Sequence, residues 1–314
     1  MALIALLGTL LLSACAGRHA AAPALQSAGG PPSLVPTYLV WDAGAACAAP
    51  HLHPLHLSAD VVYVGEEHGD PVPGLFVRDL LHAQAAAAQP VALAVEMLPW
   101  TLQYGADRWS DGSLDEEAWL SAVDWGNVWG WPWEAYAPAW RALPEAGGML
   151  VALNAPRELT RAIARGGLDQ LDPAFLLLLP DLRWPGPEGY DALIRGALLA
   201  TAEAHGGHGH FSEALLSRYV DAQRVWDSTM AERLVQARRA LGEDTRFVVL
   251  AGKMHIIGGL GIPLRADRLM HVQSELVIYS AAGVPEDTTG ARWWLLPVNE
   301  ETAGLPRCAA PAGR

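Results

Sequence analysis

Val61-Val62-Tyr63-Val64-Gly65-Glu66-Glu67-His68 and, far along the chain, Phe247-Val248-Val249-Leu250-Ala251-Gly252-Lys253-Met254-His255 are two versions of one signal. In each, a short apolar run bounded by glycine reads as a buried strand. A histidine follows the glycine by three residues. Two more runs behave alike: Val91-Ala92-Leu93-Ala94-Val95 stops at Glu96, and Leu150-Val151-Ala152-Leu153 stops at Asn154. Helical patterns separate these runs. Strands alternating with helices predict an α/β fold built on a mostly parallel open sheet with flanking helices. The carboxyl ends of parallel strands share one edge, and ligands bind in the crevice there. His68, His255, Glu66, Glu67, Glu96 and Asn154 are therefore expected at one site.

Between the strands the pattern alternates. A helix is expected over 73–88, and Pro156 suits the first turn of another. The stretch 99–148 offers no convincing strand and holds eight of the thirteen tryptophans. Residues 173–241 read as helical, broken at 180–189 and 205–210, and are expected to form a lid or inserted subdomain over the site. In its last helix Leu216, Tyr219, Trp226, Met230, Leu234 and Leu241 recur at helical spacing, and Gly242 sits just past the end. Further strands are expected around 272–279 and 293–298. The folded domain is placed at 38–299, after a tether at 16–37 rich in Ala, Gly, Pro and Ser, and before a loose tail at 300–314.

With 314 residues, 51% hydrophobic and 18% charged, the chain has enough apolar material for one large core. Its net charge of −13 argues against nucleic acid as a partner, since such binding needs a basic face. Residues 1–12 are an apolar run too short to span a bilayer. They lead into Leu12-Ser13-Ala14-Cys15, the pattern cleaved in bacterial lipoproteins, with Cys15 as the lipidated residue and 1–15 as its signal peptide. This predicts a lipid-anchored protein of the bacterial cell envelope. Ala16 after the cysteine favours the outer membrane. Cys47 and Cys308 remain near the two ends of the domain, where an exported compartment permits either a disulfide or two free thiols.

Two imidazoles at strand ends with Glu67 or Glu96 match a two-histidine, one-carboxylate metal site for Zn²⁺ or Mn²⁺. In that reading His68, His255 and Glu96 hold the metal, and Glu66 or Glu67 activates water. A hydrogen-bonded polar cluster without metal is the alternative. The block from Trp125 to Trp140 supplies either core rings or a flat apolar wall for a planar ligand. Asn154 and Arg157, at a strand end and a helix start, make an anion-binding corner. Histidines cluster again at 205–210 and at His51, His53 and His56, with weaker claims on a metal or haem iron.

An ordered set of motifs carries a family resemblance. They are Val-Tyr-Val-Gly-Glu-Glu-His-Gly-Asp at 62–70, Ala-Val-Glu-Met at 94–97, and Trp-Gly-Trp-Pro-Trp-Glu-Ala-Tyr-Ala-Pro at 129–138. Leu-Asn-Ala-Pro-Arg-Glu at 153–158, Ala-Gln-Arg-Val-Trp-Asp-Ser-Thr-Met-Ala at 222–231 and Leu-Ala-Gly-Lys-Met-His at 250–255 follow. The chain resembles the ChaN family of iron-regulated lipoproteins, the haem-binding branch of the superfamily containing Tiki and TraB proteins. The resemblance implies a lipid anchor and haem held between two subunits of a homodimer during iron uptake. It also implies a tyrosine on the iron, for which Tyr136 is the first choice and Tyr219 the second, with Arg157 near a propionate. In the Tiki branch the paired histidines and a glutamate are associated with metal-dependent proteolysis, which makes a hydrolase the alternative activity.

Overall fold

The computed structural model describes residues 38–49, 52–181, 184–204 and 211–309. Cys15 and its signal peptide, the tether, His51 and the histidine-rich stretch 205–210 lie outside the described residues.

Eight strands form one sheet: β1 (Tyr38–Asp42), β2 (Cys47–Ala49), β3 (Val61–Glu66), β4 (Val91–Pro99), β5 (Met149–Asn154), β6 (Arg246–Gly252), β7 (Ser274–Tyr279) and β8 (Trp293–Pro297). Their order is β2-β1-β8-β7-β3-β6-β4-β5. From β8 to β5 every neighbouring pair is parallel, and β1 joins β8 antiparallel. The expected mostly parallel open sheet is thus the observed one. Every residue of β3 is buried, as befits a parallel strand covered on both faces. Val62, Val64, Leu93 and Val95 face one core with Phe76, Leu80, Trp119 and Trp140. Val61, Tyr63, Phe247 and Val249 face the other, against Met230 and Leu234.

The helices are α1 (Pro54–Ser58), α2 (Pro71–Ala86), α3 (Gln103–Ser110), α4 (Glu116–Ala122), α5 (Trp125–Val128), α6 (Ala137–Glu145), α7 (Arg157–Gly166), α8 (Pro173–Leu176), α9 (Tyr190–Ala204), α10 (Glu213–Leu241), α11 (Ile262–Asp267) and α12 (Glu300–Ala303). Asp70 caps α2 by accepting from the Val72 N–H, with Pro71 in the first turn. Ser212 caps α10 at its start, and Gly242, at φ +99°, ends it where a side chain would be strained. Helix α10 runs 29 residues and brings its middle over the carboxyl edge of the sheet. Among the described residues the stretch expected to be a helical lid contains α8, α9 and α10.

Two features depart from the sequence reading. The antiparallel β1–β2 hairpin was not expected, because β1 is buried throughout and shows no alternation, and β2 is only three residues long. The tail expected to be loose is tied down as far as Cys308. Asn299 and Thr302 form a reciprocal capping box on α12, Cys308 donates its N–H to the Ala48 carbonyl, and Cys47 is disulfide-bonded to Cys308. The bond closes a loop across a sequence separation of 261 residues, restricting the unfolded chain. The edge strand β5 is covered rather than open. Gln103 donates to the Leu150 carbonyl and accepts from the Ala152 N–H, and Ser110 accepts from the Leu150 N–H.

Candidate functional site

Strands β3 and β6 are neighbours in register, Gly65 beside Ala251 and Glu66 beside Gly252, so the two Gly-x-x-His elements emerge side by side. The glycines serve close approach. A Cβ on Gly252 would stand 2.8 Å from His68 Cε1, and one on Gly65 3.1 Å from the Lys253 backbone. Glu96, from the next strand β4, accepts the Gly252 N–H at 2.7 Å.

Each histidine is met by carboxylates. His68 Nδ1 lies 2.5 Å from Glu66 Oε1. The His68 ring packs edge-on against Trp129, 4.9 Å between centroids. His255 is held from both ends: Nδ1 is 2.5 Å from Asp227 Oδ1, and Nε2 is 3.4 Å from Glu96 Oε1. Asp227 is fully buried on α10 and accepts a second bond from the Tyr190 hydroxyl of α9 at 2.6 Å. Arg265, also fully buried, lies over the Tyr190 ring at 4.4 Å.

Burial alone would lower the His255 pKa, but Glu96 and Asp227 outweigh it and raise the group to about 10. Burial would likewise raise Glu96, and the charges of His255 and His68 with the Gly252 N–H hold it at about 2. Glu66 goes the other way. Burial pushes its carboxyl up, with His68 opposing and Glu96 adding to the rise. The surroundings of the floor therefore favour the charged forms of Glu96 and His255 and push the Glu66 carboxyl toward its neutral form.

The expected divalent-metal site is not supported by this arrangement. Both ring nitrogens of His255 face carboxylates, Asp227 at Nδ1 and Glu96 at Nε2. Glu96 is committed to His255 and Gly252. Among the described residues no group of three or more His, Cys, Asp or Glu is placed to hold a metal ion. These side chains are joined to one another by hydrogen bonds and ion pairs.

Above this floor is a cleft of about 390 Å³. Glu66, Glu67, His68, Glu96 and His255 form its polar side, and Ile194, Leu198, Ala202 and Trp226 belong to its apolar wall. Tyr219 lines it too, its pKa raised by burial. Glu67 is paired with Lys253 at 2.7 Å, both partly exposed. Tyr136 is not in the cleft. It is 2% exposed beneath the floor, with its hydroxyl accepting from the Gly69 N–H and donating toward Glu66 at 3.4 Å. Its ring packs among Trp125, Trp129 and Trp140, so the aromatic block is chiefly core. A hydroxyl so placed does not suit an iron ligand. Asn154 donates to the Glu96 carbonyl and accepts from the Trp226 indole, fixing the partition beside the cleft. Arg157 faces a neighbouring cavity instead. His53 and His56 are packing residues around Trp293, and burial lowers His56 to about 3.

Asp227, Gln223 and Tyr190 escaped the sequence reading. The signal was present on α10, where Gln223 and Asp227 sit one turn apart, both buried, inside an otherwise apolar stripe. A buried acid on such a face implies a partner from another element.

A family model described as haem-binding uptake, Tiki superfamily, ChaN matches residues 56–266. Among solved structures, ChaN of Campylobacter jejuni, described with cofacial haem binding, is 19% identical with a TM-score of 0.65, covering 83% of this chain and 97% of its own. The type III effector HopBA1 (14% identity, TM-score 0.41, 77% and 91% coverage) and an erythromycin esterase EreC variant in its open conformation (13%, 0.42, 78% and 78%) are more remote. No curated protein matches the sequence. The shared fold and a family match spanning more than half of the chain lead to one conclusion: this chain belongs to the ChaN family of the haem-binding uptake, Tiki superfamily.

Proposed function

We propose that this protein binds haem in the cleft between the carboxyl edge of the sheet and helices α9 and α10, as part of haem or iron uptake. The observation that carries this is the pairing of an apolar helical wall with side chains of iron-ligating type on one cleft. Tyr219, His68 and Met254 all line it, and Ile194, Leu198 and Trp226 supply surface for a flat macrocycle. The donor set fits the group. Bound haem would supply an iron centre and two carboxylate arms. The chain's part is to exclude water with the α9 wall, offer Tyr219 or His68 to the metal, and set Lys253 at the rim. Glu66 orients the His68 ring by holding Nδ1. Family membership supports the same ligand.

The test is a haem titration of the chain from residue 16 onward, followed by absorbance. A saturable Soret shift at an equimolar ratio, weakened in Tyr219→Phe or His68→Ala, is expected. A folded protein giving no shift refutes the proposal. Outer-membrane anchoring through a lipid on Cys15 belongs to the same proposal and requires that Cys15→Ser release the protein from the membrane fraction. The homodimer requires a doubled mass in sedimentation of the haem-loaded chain.

One observation favours a second reading, a hydrolase. Glu66, pushed toward its neutral form, shares the floor with Glu96, held as a carboxylate, which is the split that acid–base chemistry needs. The donor set does not fit a divalent metal, so no step is routed through one. Ester hydrolysis lost in both Glu66→Gln and Glu96→Gln, with no haem bound, would favour this reading.

A further inference from the structure

A second cavity, of about 400 Å³, lies beside the cleft. Two tryptophans separate them. Trp129 lines it with its ring edge-on to His68, and Trp226 lines both cavities with its ring edge-on to His255, 5.0 Å between centroids. Arg157 and Arg161 also line it, one turn apart on α7. Arg157 donates to the Asn127 carbonyl at 3.2 Å. The Arg161 Nε is buried with no hydrogen-bond partner.

Neither arginine has a salt bridge among the described residues, although the chain carries a net charge of −13. Two acids share the cavity wall and neither takes this role. Both Asp124 carboxylate oxygens accept from Asn127 Nδ2, at 2.9 and 3.0 Å, and Glu158 is exposed. Burial, Arg157 and Arg165 all push the Arg161 guanidinium down, with Glu158 opposing. Like charges gathered in a partly buried hollow, with an N–H left unpaired, are destabilising until an anion arrives. Guanidinium groups pair with carboxylates through parallel bonds, and indole rings favour a flat apolar partner.

We propose that this cavity is a second binding site, taking a carboxylate borne on a flat apolar group. Arg157 and Arg161 bind the carboxylate, and Trp129 and Trp226 contact the apolar part. Such a carboxylate has two sources: a free aromatic acid, or an acidic arm of a macrocycle seated in the adjoining cleft. The site stands on its own residues and does not require the haem reading.

Calorimetric titration of benzoate into the haem-free chain tests it. Saturable binding is expected, weakened about tenfold or more by Arg161→Gln through loss of a charge-assisted bond. Arg78→Gln, on a distant helix, is the control and leaves it unchanged. The same variants are then titrated with haem and with its dimethyl ester. Benzoate binding that survives haem loading assigns the site to a free acid. Competition by haem, with Arg161→Gln weakening haem but not the ester, assigns it to the acidic arm. If Arg161→Gln, shown folded by near-ultraviolet dichroism, changes neither benzoate nor haem affinity, the proposal is overturned.

Discussion

His68 and His255 come from the same four-residue pattern, on adjacent strands in register, and yet they end in different surroundings. His255 is locked between Glu96 and Asp227 with both ring nitrogens engaged. His68 Nδ1 is paired with Glu66, and the ring stays partly exposed in the cleft, packed against two tryptophans. The difference does not come from the motif. It comes from α10, which lays Asp227 beside one histidine and not the other. A local sequence pattern can therefore deliver two identical groups to one edge, while a third element decides how tightly each is held.

The largest effect should come from breaking the locked half. Asp227→Asn leaves a buried imidazolium short of one partner and should destabilise the protein by about 3–5 kcal/mol in urea unfolding. It should also change the pH dependence. A histidine raised from 6.5 to about 10 contributes stability that is complete below pH 6.5 and is lost as pH rises through 10. Glu96, lowered to about 2, belongs to the same interaction, so the acid limb falls only as pH drops from 4.5 toward 2. In Asp227→Asn the alkaline loss should therefore end nearer pH 6.5. An unchanged alkaline limb would assign that limb to other groups.

An intermediate effect is expected where the two halves touch. Gly252→Ala places a methyl against the His68 ring and should cost about 1–3 kcal/mol, with haem affinity falling because His68 is displaced. Unfolding and Soret titration of the same sample check both. The smallest effect belongs to the open half. The Glu66 carboxyl is already pushed toward its neutral form, so Glu66→Gln should change stability by only about 1 kcal/mol or less. A loss as large as that in Asp227→Asn would mean that Glu66 is as firmly charged as its neighbour Glu96, and the contrast between the halves would fail.

The pattern of strands, the helix ending at Gly242 and the convergence of His68, His255 and Glu96 were all legible in residue order. Runs of Val, Leu and Ala bounded by glycine state their own burial, and parallel strands must share an edge. The pairing of Cys47 with Cys308 was not legible, because two cysteines do not disclose their separation in space. The burial of Tyr136 was not legible for a related reason. The resemblance makes it the first choice for a tyrosine on the iron, but the rings of Trp125, Trp129 and Trp140 close around it, and its hydroxyl is taken up by Gly69 and Glu66.

Residue order by itself determined the α/β architecture and the set of groups that meet at the sheet edge, since periodicity and strand direction are local properties of the chain. Tertiary structure alone decided what those groups are. The charge on His255, the neutral bias of Glu66 and the division of one crevice into two cavities by Trp129 and Trp226 depend on contacts between elements far apart in sequence. Desolvation and neighbouring charge set a group's protonation, and both are consequences of what the fold places beside it.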